Sequence, residues 1–245
     1  MLFQLPHADY PESPPPGNLE AYDLIPPVLQ APHLRWTFGA MKAREEGNWY
    51  EMVSLLEPQK LIATLSATGF RGITINRNGY RDQASSLEQS LSKLGLRQDA
   101  TSPDKTTVLY SLTDSATPEH MALAVAPGKG WYSIETTDSD PAIWSRGDAD
   151  VLVSNVESTR TACSVSFTLR SLTRRTVHLV EGSKTLASAA LAPGEFAHLA
   201  ADIQLSIGEP KRLILHSEEP AQIPGNGDSR PLAFRWKIDS SPICY

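Results

Sequence analysis

Residues 163–182, CSVSFTLRSLTRRTVHLVEG, carry the pattern that decides the fold of the second half of the chain. Apolar and polar residues alternate on both sides of a short Ser-Leu-Thr segment. Alternation with a period of two is typical of a strand that buries one face. The stretch therefore predicts two strands that pair like a hairpin, with the turn near Thr173.

The same pattern recurs along the chain after about residue 116. Short alternating runs such as DVLVSNV, KTLASAAL and KRLILHSE are separated by turn clusters such as EGSK, APGE and IPGNGDSRP. About eight strands at this spacing predict an antiparallel β-sandwich over residues 116–245, of the jelly-roll kind. Sandwiches of that kind often bind sugars, an expectation that comes from fold analogy alone.

The first half, residues 1–115, alternates strand and helix patterns instead. LFQL at the start, HLRWTFGAM at 33–41 and FRGITINRNGY at 70–80 are typical of strands, and residues 49–70 have helical spacing with a break at Pro58. A further helix is predicted around Ser85, which has the spacing of a capping box with Glu88. This order predicts a small α/β layer domain with a mostly parallel sheet.

The composition bears on possible partners. Of the 245 residues 20% are charged, and the formal net charge is -6. Nucleic-acid binding depends on a clustered positive surface, so we expect no nucleic-acid partner. No apolar run reaches the roughly 20 residues that span a bilayer, and the start lacks the features of a signal peptide. These features predict a cytoplasmic protein if Met1 is a true start.

Cys163 and Cys244 are the only cysteines. Neither lies in a Cys-x-x-Cys motif, and two thiols do not complete a four-ligand zinc site, so no metal is predicted. We expect a buried thiol at Cys163 and a free thiol at Cys244. The alternative is a disulfide, which would indicate an oxidising compartment.

Two loops that follow predicted strands carry candidate site residues. His7, Asp9 and Glu12 lie close together after the first strand, where α/β proteins bind ligands and where histidine with carboxylates can move protons. Arg77, in NRNGYRD, follows the next strand, and its guanidinium can clamp a phosphate or a carboxylate. The alternatives are a proline-stiffened turn in the first loop and a solvated Asn-Gly turn in the second.

Motifs of common enzymes are missing from the sequence. It has no Gly-x-Ser-x-Gly elbow, no phosphate-binding glycine loop and no His-Glu-x-x-His, so no cofactor is predicted. Aromatic rings offer another kind of site, because an amphipathic ring can stack on a sugar. Trp36, beside Arg35, is such a candidate, whereas Trp131, Trp144 and Trp236 lie in strand-like runs and are expected in the core.

Three segments, FQLPHADYPESPPPGNLEAYD, LRWTFGAMKAR and GFRGITINRNGYRD, precede a β-rich tail that ends in DSRPLAFRWKI. Together they resemble the soluble C-terminal region of bacterial polytopic inner-membrane proteins classed as sugar translocases or glycosyltransferases that use lipid-linked sugars. The resemblance implies a domain on the periplasmic face of the inner membrane, as part of a membrane protein. It also implies a non-catalytic, accessory role: to orient or bind a glycan acceptor or a lipid-linked sugar in envelope polysaccharide assembly. The membrane-embedded part would be its partner, and catalysis is expected there.

Two alternatives stay open. A standalone hydrolase or transferase requires the polar residues of the two loops to converge in one cleft at the strand ends. A structural or protein-interaction module requires neither that cleft nor an aromatic groove. The residues predicted to bind a ligand are His7, Asp9, Tyr10, Glu12, Arg35, Trp36, Arg77 and Tyr80.

Overall fold

The computed structural model describes residues 1–9, 16–20, 22–37, 45, 47–112, 121–136, 141–154, 162–206, 209–238 and 243–244. The chain divides into two compact units, Met1–Glu119 and His120–Tyr245. The predicted boundary at 115/116 lies outside the described residues. Most of the described strand pairs are antiparallel, and helices are few. In the described part of the chain, no helix has the length and hydropathy that a membrane span requires.

The described part of the first unit contains four strands and four short helices. The strands are β1 (Leu2–Leu5), β2 (Gly72–Asn76), β3 (Gln98–Thr101) and β4 (Thr107–Ser111). The helices are α1 (Pro26–Gln30), α2 (Gly47–Ser54), α3 (Pro58–Ala67) and α4 (Ser85–Lys93), and a 3₁₀ turn covers Arg77–Gly79. Pro58 begins α3 at the predicted break, because proline fits the first turn of a helix but cannot continue one.

The strands of the first unit pair in the order β1-β2-β4-β3. Among the described pairs only β1 and β2 are parallel, because β4 runs antiparallel to both β2 and β3. The predicted mostly parallel sheet is therefore wrong. The reason is β3, whose exposed sequence QDAT has no apolar pattern. Helix α4 does cross over to a strand parallel to β2, but a tight turn then returns the chain as β4 between them.

One face of this sheet is covered by helices. The residues on this face align across β1, β2 and β4 and are buried: Phe3, Leu5, Ile73, Ile75, Val108 and Tyr110. The rings of Trp49 and Phe70 pack against the Phe3 ring, with centroids 6.4 and 5.5 Å away, and Leu91 of α4 is buried. This face forms the apolar core of the first unit.

The start of α4 differs from the predicted capping box. Ala84 is the N-cap residue and makes no side-chain bond. The carboxylate of Asp82 instead accepts the backbone N–H groups of Ala84 (3.1 Å) and Ser86 (3.0 Å). The predicted pairing of Ser85 with Glu88 is therefore wrong, and the Glu88 carboxylate binds another partner described below.

The second unit contains eleven described strands. They are β5 (Met121–Ala122), β6 (Ala124–Pro127), β7 (Ala142–Trp144), β8 (Ala149–Ser154), β9 (Ala162–Arg170), β10 (Arg175–Glu181), β11 (Lys184–Leu191), β12 (Phe196–Gln204), β13 (Lys211–Ser217), β14 (Arg235–Lys237) and β15 (Ile243–Cys244). One sheet has the order β11-β10-β13-β8-β6, and the other has the order β5-β15-β9-β14-β7 with β12 paired to β9. All described pairs between these strands are antiparallel, which confirms the predicted antiparallel β-sandwich.

Aromatic rings fill the core of the second unit. The Trp131 ring lies 5.7 Å from that of Phe234 and 5.8 Å from that of Trp236 between centroids. Phe167 of β9 packs on Trp236 at 5.4 Å. Trp131, Trp144 and Trp236 are all buried, as the strand patterns predict.

The segment between β9 and β10 passes from one sheet to the other, so the predicted hairpin near Thr173 is wrong. The reason is Arg175, which is 1% exposed and is bonded through neutral oxygen atoms. Its guanidinium donates to the hydroxyls of Ser171 (3.1 Å), Thr173 (3.3 Å) and Ser217 (2.6 Å) and to the carbonyls of Glu219 (2.6 Å) and Pro220 (3.3 Å). This network fixes the crossing where the local sequence suggests a turn.

Cys163 is disulfide-bonded, so the expectation of free thiols is wrong. The backbone register sets Cys244 of β15 directly opposite Cys163 of β9. Cysteines can bridge only when their Cα atoms lie within about 7 Å. That proximity comes from long-range strand pairing, which no local sequence pattern reports.

Candidate functional site

A groove of about 710 Å³ lies on the face of the first unit's sheet opposite the helix-covered face. Its floor includes Thr74 and Asn76 of β2, which lie opposite Leu109 and Thr107 of β4 in the strand register. These positions alternate with the buried core residues, so their side chains point to the other face of the sheet. The floor therefore mixes hydroxyl, amide and aliphatic groups.

Two segments form the walls of the groove. On the β1 side it is lined by α1 and the residues after it, including Pro27, Leu34 and Trp36. On the β3 side it is lined by the turn between β3 and β4, including Ser102 and Asp104. An apolar wall with an aromatic ring thus faces a polar wall across a mixed floor.

Trp36 is held firmly in its wall. Its indole N–H donates to the carbonyl of Ala31 (3.0 Å), and its backbone forms a parallel bridge with Leu2. The Leu2 N–H also donates to the carbonyl of Arg35 (2.8 Å). The Trp36 ring is only partly buried, so it is fixed in position and still borders the groove. Arg35 itself is exposed and is not among the residues that line the groove.

The NRNGY segment forms one end of the groove. The Asn76 side-chain oxygen accepts the N–H of Asn78 (3.1 Å), which caps the 3₁₀ turn, and the Asn78 carbonyl accepts the N–H of Asn18 (2.7 Å). A methyl group at Gly79 would collide with the ring of Pro6, so the absence of a side chain permits this close approach. The described ends of the proline-rich loop therefore pack on this turn.

His7 and Asp9 form a separate cluster with α2. His7 Nε2 lies 3.0 Å from Asp9 Oδ1, and the His7 side chain is 13% exposed. Burial raises the pKa of the nearby Glu51 carboxyl, an effect that His7 opposes and Asp9 reinforces. The other two predicted residues of this loop, Tyr10 and Glu12, lie outside the described residues.

Arg77 binds within the fold. Its Nε and Nη2 atoms donate to the two carboxylate oxygens of Glu88 (2.7 and 2.8 Å), and Nη1 donates to the carbonyl of Lys105 (3.0 Å). The Tyr110 hydroxyl donates to the same carboxylate (3.2 Å). The hydrogen bond from Arg77 lowers the pKa of Glu88 below its ordinary value. The Arg77 guanidinium, which was predicted to bind a ligand anion, instead binds the Glu88 carboxylate and so links the end of β2 to α4.

Tyr80 is half-buried behind the same turn. Burial raises the pKa of its hydroxyl, and the charge of Asp82 raises it further, so the phenol is neutral at physiological pH. The predicted residues thus separate: Trp36 lines the groove, His7 and Asp9 lie near Glu51, and Arg77 binds Glu88. Within the described residues, no group of three or more His, Cys, Asp or Glu side chains has metal-binding geometry.

Sequence reasoning missed most of the groove. Thr74 and Thr107 on its floor and Asp23 and Asp104 at its rim were not among the predicted residues. A signal for the floor exists: Thr74 and Asn76 are polar residues at alternate positions of an otherwise apolar strand. The rim has no such signal, because its two carboxylates lie 81 positions apart in turns that only the fold brings to one groove.

No family model and no curated protein matches the chain. Its structural neighbours include a family 6 carbohydrate-binding module from Clostridium stercorarium in complex with cellobiose. It is 13% identical, with a TM-score of 0.29, and the match covers 49% of this chain and 84% of that one. A tandem family 22 carbohydrate-binding domain of xylanase Xyn10C from Paenibacillus barcinonensis is 11% identical, with 57% and 54% covered and a TM-score of 0.33.

A Bacillus thuringiensis Cry1Da tryptic core variant matches equally well, at 11% identity and a TM-score of 0.33, over 61% of this chain and 30% of that one. At such scores these likenesses carry no conclusion about what this chain binds.

Proposed function

We propose that the chain is a non-catalytic glycan-binding domain and that the groove beside Trp36 is its binding site. The observation that carries the proposal is a fixed tryptophan ring in the wall of a cavity of about 710 Å³ with a hydroxyl- and amide-bearing floor. Sugar rings have an apolar face and a polar edge. The Trp36 ring offers a partner for the apolar face, and the half-buried Thr107 offers one for the polar edge.

The size of the groove also supports this role. Ligand pockets are commonly about 300–1,000 Å³, and this groove falls in that range. The alternative of a hydrolase or transferase required His7 and Arg77 to share one cleft, but each is bonded to a different partner. The separate partners of His7 and Arg77 therefore favour a binding role over a catalytic one.

We further propose that the domain belongs to a membrane sugar translocase or glycosyltransferase and lies on the periplasmic face of the inner membrane. The resemblance of the loop and strand segments described above suggests this parent. The disulfide at Cys163 supports an oxidising compartment, because structural disulfides are rare where glutathione keeps thiols reduced. In this proposal the domain orients a glycan acceptor or a lipid-linked sugar for the membrane-embedded part.

The proposal is tested by titrating the folded chain with a panel of bacterial envelope oligosaccharides. We expect the wild type to bind at least one of them, and Trp36→Ala to weaken that binding by about tenfold, which corresponds to about 1.4 kcal/mol. Trp36→Phe should keep part of the affinity because it keeps an aromatic face. Circular dichroism checks that each variant is folded.

Phe196→Ala is the matched control. Phe196 lies in the second unit, is 51% exposed and carries an aromatic ring far in the sequence from the groove. The Phe196→Ala variant should bind the saccharides with the affinity of the wild type. If a folded wild type binds no saccharide of the panel, or if Trp36→Ala and Phe196→Ala bind equally well, the groove is not a glycan site.

A further inference from the structure

We infer that the groove selects uncharged or amine-bearing sugar units and rejects anionic ones such as uronates and sugar phosphates. The inference rests on the proposed function and deepens it. It comes from the charges that border the groove. The only charged side chains among its described lining residues are Asp23 and Asp104, and both are carboxylates.

Both carboxylates are held in place by the fold. Asp23 Oδ2 accepts the backbone N–H of Glu20 (2.9 Å), so its turn fixes its position. Asp104 accepts the hydroxyl of Ser102 (2.5 Å) and the N–H and hydroxyl of Thr106 (3.1 and 2.9 Å). The hydrogen bond from Ser102 is the main cause of a lowered pKa at Asp104. The Asp104 carboxyl is therefore anionic at physiological pH.

The described basic residues near the groove do not line it and so do not offset these charges. Arg77 is engaged by Glu88, and the exposed Arg35 and Lys105 do not line the groove. An anionic sugar would place its charge near two carboxylates, and the described lining residues include no guanidinium or ammonium group. A neutral sugar can instead offer its hydroxyl groups to the same carboxylates as hydrogen-bond donors.

This charge pattern also bears on which part of a lipid-linked substrate would enter the groove. A sugar joined to its lipid through phosphate carries negative charge at that linkage. The groove suits the uncharged end of such a molecule, or a neutral acceptor glycan, and disfavours the phosphate. The structure thus separates two ligands that the resemblance alone leaves equivalent.

The test uses matched ligands on the full chain. Neutral hexose tetrasaccharides, their C6-oxidised uronate counterparts and their C6-phosphorylated counterparts are titrated into the wild type by calorimetry. We expect each anionic member to bind at least about tenfold more weakly than its neutral parent. Raising the salt concentration from about 20 mM to about 500 mM should reduce the difference in affinity between neutral and anionic sugars, because salt screens exposed charges.

Variants of the two carboxylates test whether they cause the preference for neutral over anionic sugars. Asp23→Asn and Asp104→Asn are made alone and combined, and each keeps an oxygen that can accept the turn hydrogen bonds. The double variant should bring the ratio of neutral-sugar affinity to anionic-sugar affinity close to one. Asp202→Asn removes an exposed carboxylate of the second unit and should leave the ratio unchanged. If the wild type binds neutral and anionic members equally, the inference is overturned while the glycan-binding proposal stands. If it binds none of the panel, both fail.

Discussion

The two units of the chain use their tryptophans in different ways. In the second unit Trp131, Trp144 and Trp236 are all buried. In the first unit Trp49 of α2 is buried against Phe3 of the sheet, whereas Trp36 borders a groove. The difference follows from layering, because the sandwich buries the inner faces of its two sheets while the first unit covers one face with helices and leaves the other partly open.

The two units also hold their inner arginines differently. Arg175 of the second unit is almost fully buried and is bonded through five neutral oxygens. Arg77 of the first unit is partly exposed and is paired with a carboxylate. A charge surrounded by dipoles and a charge paired with an opposite charge respond differently to mutation and to pH.

The largest expected effect is at Arg175. Arg175→Met should lower the free energy of unfolding of the second unit by about 3 kcal/mol, because it leaves buried hydroxyl and carbonyl groups without a donor. Hydrogen exchange of β10 and β13 peptides, followed by mass spectrometry, measures this unit by itself. Arg174→Met is the matched control: Arg174 is the neighbouring, exposed arginine, and its loss should change little. Equal effects of the two variants would contradict the role given to the Arg175 network.

A smaller, pH-dependent effect is expected at Glu88. Glu88→Gln should cost the first unit about 2 kcal/mol at pH 7, because it weakens a bidentate charge-assisted pair. The pKa of Glu88 is lowered in the folded state, so its contribution is present above the unfolded-state pKa of about 4.3 and is lost as the pH falls through the folded-state pKa.

The stability difference between wild type and Glu88→Gln should therefore be constant from about pH 7 to pH 5 and shrink below about pH 4. Hydrogen exchange or denaturant titration of the first unit at several pH values measures it. Arg81→Met, at an exposed arginine close to Arg77, is the control for a general charge effect. A stability difference between wild type and Glu88→Gln that grows as the pH falls would contradict the role given to the Glu88 carboxylate.

The smallest effect is expected at Asn76 on the groove floor. Asn76→Ala removes the oxygen that accepts the Asn78 N–H and should cost about 1 kcal/mol, the usual value of a helix cap. Asn78→Ala keeps both backbone bonds of this turn and should cost less. Thermal unfolding measures both variants, and a larger loss for Asn78→Ala would contradict the capping role of Asn76.

Much of the secondary structure could be predicted because it depends on local patterns. The strands β1 and β2, the break at Pro58 and the alternating runs of the sandwich all appear where hydrophobic periodicity places them. The exposed strand β3 was missed because it has no buried face to shape its sequence. Because β3 was not predicted, the sheet was expected to be mostly parallel, whereas its strands pair in both directions.

The candidate site was less predictable. Trp36 was among the predicted ligand-binding residues, and the structure places it in the groove wall, but the same reasoning gave Arg77 a ligand that turns out to be Glu88 of the same chain. A sequence indicates which side chains can bind an anion or a sugar. It does not indicate which of them are already bonded to a residue brought close by folding.

By itself, the sequence determined the antiparallel strands of the second unit, the alternation that fills each core, and the lack of common catalytic motifs. Only the tertiary structure decided that Cys163 is disulfide-bonded, that Arg175 ties a crossing between sheets, and that Asp23 and Asp104 border one groove. The physical reason is the distance along the chain over which the determining contacts act. Side-chain periodicity reports the local environment of a strand or helix, whereas register and strand order arise from contacts between distant residues and set which groups meet.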